Sequence, residues 1–173
     1  MLPDPLHPAV VHFPIVLMTF LPLAAFGALW ALRRGVAPMQ AWAVPVVLAG
    51  ALTLSAWAAV QTGKAQEDRA EDAVGEQTFE THEEAGERFL IFSGIVFVLS
   101  AAGLLRGAAG RGARFAATVA TLGLLVAGVQ VGHSGGTMVY GTATAPGISR
   151  LGGAAGGEGA DSAPERKGEK DED

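Results

Sequence analysis

The chain has 173 residues, half of them hydrophobic and only 17% charged, with a net charge of −5 and no cysteine. The missing cysteines exclude a disulfide framework, a thiolate metal site and a cysteine nucleophile, and the acidic balance argues against nucleic acid as a partner. The mean hydropathy of +0.34 is concentrated in four uncharged runs, residues 5–32, 35–63, 89–105 and 115–149, whereas a water-soluble helix would interleave charges along a polar face.

A bilayer core of ~30 Å needs about 20 apolar residues as helix. The four runs therefore predict four transmembrane helices, at about 9–32, 41–63, 86–106 and 114–134. An outer-membrane barrel would show alternating segments of ~10 residues instead. The N-terminus lacks the basic start and small-residue cleavage site of a signal peptide, so the first run is expected to remain as an anchor. The expected fold class is all-α: an integral membrane four-helix bundle as one domain, residues 1–149, with a disordered polar tail at 150–173. That tail is Gly/Ala-rich and then mostly acidic, and it cannot bury enough apolar area to offset chain entropy.

Taken in chain order, the first run contains Pro14 and Pro22 and the second Pro45. Proline frees a carbonyl that neighbouring helices re-satisfy. The connection at 33–40 carries Arg33 and Arg34 and no acid, and that at 106–114 carries Arg106, Arg111 and Arg114 and no acid. The segment 64–88 holds three basic and nine acidic residues. The positive-inside rule puts the two arginine connections in the cytoplasm, with both termini and the acidic segment outward. The third run is short, ~25 Å at 1.5 Å per residue, and is expected to continue outward through His82 and Arg88. Glycines on the fourth, Gly123, Gly128 and Gly132, suit close helix approach.

This topology gathers all four histidines at the outward end. His7 and His12 open the first span, His82 precedes the third and His133 closes the fourth. His7 and His12 lie ~140° apart around a helix, so one points into the bundle while the other caps the helix or meets water. Gly86 shares a face with His82 one turn on, and Gly132, Gly135 and Gly136 flank His133. Ionisable groups inside a membrane raise a functional hypothesis by default. Imidazoles on facing helices hold haem or metal in such bundles, and adjacent glycines would let a porphyrin plane approach. The competing account is that interfacial histidines only bond headgroups or water. Di-iron Glu-x-x-His and zincin His-Glu-x-x-His patterns are absent. Copper or zinc on imidazoles with Glu83, Glu84 or Met138 stays open.

The opening His-Pro-x-x-Val-His-Phe-Pro-Ile at 7–15 and the closing Gly-His-x-Gly-Gly-x-x-Val-Tyr-x at 132–141 resemble an uncharacterised bacterial four-helix membrane family, domain of unknown function 2231, over roughly residues 5–145. Some relatives join this unit to cytochrome c-like modules, so the resemblance implies a setting in electron transfer. Some also close with a second histidine, where this chain has Tyr140, Gly141 and Thr142.

The leading expectation is a membrane protein binding haem b near its outer face, for electron transfer or redox sensing. The cofactor-binding candidates are His7, His12, His82 and His133, with Gly86 and Gly135 beside them. His12, His82 and His133 are the candidates for a metal ion. A c-type cytochrome or other redox protein, and a second copy of the chain, are the expected partners besides lipid. The alternatives are a cofactor-free accessory or scaffold protein, or a copper- or zinc-binding one. An enzyme is not expected, since no acid/base pair sits in a dry cleft. A transporter is disfavoured, since Gln61 and Gln130 are nearly the only deep polar groups.

Overall fold

A computed structural model describes residues 6–65 and 76–143. Within them the chain forms five helices: α1 (His7–Val10), α2 (His12–Arg33), α3 (Pro38–Lys64), α4 (Glu76–Ala102) and α5 (Gly107–Ala143). The all-α expectation holds, and there is no strand among the described residues. The tail at 150–173 and most of the acidic connection lie outside the described residues.

The α1–α2 break follows from Pro14, which has no N–H to give the Val10 carbonyl. The two helices otherwise form one rod, a span of 27 residues at His7–Arg33. The other spans are Pro38–Lys64, Phe79–Ala102 and Gly107–Thr137. Each exceeds the ~20 residues a bilayer core requires. They pack up-down-up-down in a ring, α2 on α3, α3 on α4, α4 on α5, with α5 returning to α2 along the loosest seam. All four histidines therefore lie toward one end, and Arg33, Arg34, Arg106, Arg111 and Arg114 lie at the other.

The buried stripe of α2 is Met18, Leu21, Ala25 and Ala28, and that of α3 is Trp42, Ala49, Leu52, Ala56 and Ala59. α4 and α5 add Ser93, Val96, Ala117, Thr118, Thr121 and Leu124. Large apolar residues such as Phe13, Leu23, Val47, Leu54, Ile91, Val98 and Val126 face outward. Small and hydroxylated residues inside with large apolar ones outside is how helices pack when lipid is the solvent. The buried hydroxyls of Ser93, Thr118 and Thr121 donate to carbonyls of their own helices, so none is left unpaired in hydrocarbon.

The arginine end is tied by specific contacts. Gly35, at φ 89°, takes the left-handed position past α2, with Val36 N–H bonding Ala31 O at 3.1 Å and Gly35 N–H bonding Leu32 O at 3.1 Å. This is a Schellman stop, and Pro38 in the first turn then starts α3. The fully buried Trp42 donates its indole N–H to Ser100 O at 2.8 Å, and its ring lies where a Cβ on Gly103 would be. Arg114 is buried and donates to Gly103 O at 2.6 Å. A guanidinium thereby satisfies a free carbonyl at the C-terminus of α4. Reading Arg114 as a loop residue missed this inward role.

Several boundaries differ from the sequence expectation, and α5 already begins at Gly107 rather than near 114. α4 ends at Ala102 rather than near 106, because Trp42 and Arg114 hold the Gly103 turn. α5 continues to Ala143, well past the expected end near 134. Its glycine-rich stretch reads as a helix stop by propensity, but its flat face receives a side chain from α4.

Candidate functional site

The predicted outward extension of α4 is present, and it carries His82 alongside α5. Opposite, His7 in α1 reaches onto the last turns of α3. The His7 Nδ1 lies 2.9 Å from Ala59 O and 3.3 Å from Thr62 Oγ1. A carbonyl only accepts, so Nδ1 carries the proton. The Thr62 hydroxyl donates to α3 carbonyls at 3.0 and 2.9 Å, so its oxygen also faces His7 as an acceptor. The His82 Nδ1 lies 2.9 Å from Ser134 Oγ. Ser134 spends its own proton on Val131 O at 2.9 Å, so again Nδ1 donates.

Both imidazoles are thus fastened in the same way, each donating from Nδ1. Their rings meet at a centroid separation of 6.3 Å and an interplanar angle of 87°. Among the described residues no side chain or carbonyl bonds either Nε2. Tying down one ring nitrogen fixes the orientation of each ring.

Glycine sets the fit on both sides. A Cβ on Gly63 would stand 3.3 Å from His7 Cε1, and one on Gly135 would stand 3.0 Å from His82 Cε1. Gly135 therefore touches His82, not the neighbouring His133. Gly86, expected to open a gap beside His82, faces Val60 of α3 instead. Next to the pair, Lys64 bonds Glu87 at 2.6 Å and Glu83 at 3.3 Å, closing α3 onto α4.

The structure brings His7 and His82 together and leaves His12 and His133 apart. His12 is exposed and folds back onto α1, donating from Nδ1 to Pro8 O at 2.7 Å. His133 is exposed on α5. The set His12, His82 and His133 is not gathered. No group of three or more metal-ligating side chains stands together among the described residues. The five-residue spacing of His7 and His12 does put one ring in and one out. It could not say which, and the inward one is His7. Sequence reading missed Ser134, Thr62 and Gly63. Ser134 lay inside the closing motif, and its position one residue past His133 was the available signal.

The model of a family described as predicted membrane protein (DUF2231) matches residues 3–145. The chain belongs to the DUF2231 family. The match covers every described residue, so the bundle and its histidine end are the DUF2231 unit itself. No curated protein and no solved structure matches the chain. With four apolar spans and the family match together, this DUF2231 chain is an integral membrane protein in contact with lipid.

Proposed function

We propose that this protein binds haem b at its histidine end and serves in electron transfer, with His7 and His82 as the residues that would hold it. The observation that carries the reading is a pair of neighbouring imidazoles, each fastened through Nδ1, with no third metal-ligating side chain grouped with them among the described residues. A bare zinc or copper ion takes three or four protein ligands, whereas a porphyrin already supplies four nitrogens and asks the protein for two. Bound haem supplies a one-electron couple. The chain's own residues set its ligands: Ala59 and Thr62 orient His7, and Ser134 orients His82.

The acidic connection between α3 and α4 would attract a basic redox partner such as a c-type cytochrome. On the positive-inside rule this end faces outward from a bacterial inner membrane. A second reading rests on Gly63 and Gly135, which press directly on the rings. It makes the pair a polar clasp between helices in a cofactor-free membrane scaffold.

The test is an absorption spectrum of the purified protein, expressed with ample haem, before and after dithionite. A Soret band with sharp α and β bands on reduction is expected. His7→Ala and His82→Ala remove it, while His12→Ala and His133→Ala keep it. A featureless visible spectrum with no uptake on haem titration overturns the haem reading. Elemental analysis then separates a metal site from the scaffold.

A further inference from the structure

The seam between α2 and α5, the loosest of the ring, opens at the arginine end into a groove of about 360 Å3. Phe26 and Trp30 of α2 form one wall, Phe115, Val119 and Leu122 of α5 the other, and Arg33 stands at its end. The volume falls at the low end of small-molecule sites, ~300–1,000 Å3. The walls are apolar and the end is cationic.

The charge around this groove has one sign. Residues 5–66 and 88–157 contain no Asp or Glu, yet include all five arginines of the two connections. The ion pairs among the described residues, Lys64 with Glu83 and Glu87 and Arg88 with Glu84, lie at the opposite end. Arg34 stacks on Trp30, its guanidinium carbon 4.9 Å from the ring centroid. That places a second cation and an interfacial aromatic at the same mouth. A guanidinium next to an apolar groove matches a phosphate joined to an acyl chain.

We propose that this groove is a binding site for an anionic phospholipid. One acyl chain lies between Phe26 and Val119, and the phosphate sits at Arg33 with Arg34 beside it. The site is at the far end of the bundle from the histidine pair and does not depend on any cofactor there.

The test is native mass spectrometry of the full chain after equilibration with mixed micelles holding equimolar phosphatidylglycerol and phosphatidylcholine. The expected result is one lipid retained per chain, with phosphatidylglycerol favoured about fivefold or more. Arg33→Gln removes the preference and Arg33→Lys keeps most of it. Val119→Trp fills the groove and lowers retention of both lipids; should that variant fail to fold, the Arg33 pair decides alone. Equal retention of the two lipids overturns the proposal, as does a preference that Arg33→Gln leaves intact. A dimeric mass dispersed by Val119→Trp also overturns it, by giving the groove to a second copy.

Discussion

Gly135 and Gly136 are neighbours in the same helix, and the structure assigns them opposite responses to alanine. A Cβ on Gly136 meets nothing within 4 Å, and neither does one on Gly132. A Cβ on Gly135 stands 3.0 Å from His82 Cε1, several tenths of an ångström inside ordinary contact. The imidazole cannot yield freely, because its Nδ1 is tied to Ser134 at 2.9 Å. Helix propensity alone favours alanine over glycine by up to ~1 kcal/mol in water, and it acts equally at the three positions. Comparing them cancels that contribution and isolates the contact. Overpacking costs typically 1–3 kcal/mol, and half-buried His82 can absorb part of that. Gly135→Ala should therefore be about 1–2 kcal/mol less stable than Gly136→Ala or Gly132→Ala. At this chain length that is roughly 3–6 °C in melting temperature, read by circular dichroism in detergent. Equal melting of the three variants would refute the placement of His82 on Gly135, and with it the orientation of the ring. The His82→Ala background supplies the control: the difference between Gly135→Ala and Gly136→Ala should vanish there.

The remaining predictions concern the fastenings at each end. Trp42→Phe keeps most of the buried ring but loses the N–H to Ser100 O; about 1 kcal/mol of destabilisation is expected, measured by thermal melting in detergent. Gly103→Ala should cost more, because the new methyl meets the Trp42 ring. Its effect should shrink in a Trp42→Ala background, and purely additive effects would count against the contact. Arg114→Met should cost about 1.5–3 kcal/mol, the range for a hydrogen bond to a charged donor, since Gly103 O loses its guanidinium. Exposed Lys64→Gln should leave the melting temperature nearly unchanged in high salt, where its bonds to Glu83 and Glu87 are screened. A large loss there would mean the acidic face of α4 needs Lys64 for folding.

Four membrane helices were legible because uncharged runs of this length have no other stable home. The arginine connections likewise mark one end of the bundle in the sequence. What could not be read was rotation. His7 and His12 were both candidates for the interior, since a 140° separation says that one is inside without saying which. Their positions are set by Pro14, which breaks the helix after Val10, and by the packing of α1 on the last turns of α3. Gly86 and Gly135 were singled out for flatness beside histidine in sequence. Flatness was needed, but across helices: Gly135 serves His82 from another helix, and Gly63, unremarked in sequence, serves His7. Arg114 was counted as a loop charge because composition cannot show a carbonyl left free by a neighbouring helix end.

The two ends of the bundle solve the same physical problem with different side chains. Each must close helix termini and polar groups at the edge of a solvent that offers no hydrogen bonds. At the arginine end Trp42 and Arg114 each donate to a carbonyl around Gly103. At the histidine end the same accounting leaves a remainder. His7 and His82 use one nitrogen each for fastening, to α3 and α5. If fastening were the whole role, a residue with one polar atom, such as Thr62 or Ser134 already present, would do it without placing a second basic nitrogen near the membrane interface. The two Nε2 atoms, which bond no side chain or carbonyl among the described residues, are what the haem proposal rests on. They are also why replacing either ring by glutamine is the sharper test than alanine: it can keep a fastening hydrogen bond while removing the imidazole. His82→Gln should keep the fold and lose the haem, whereas a pair that serves only as a clasp would tolerate it with no change in any spectrum.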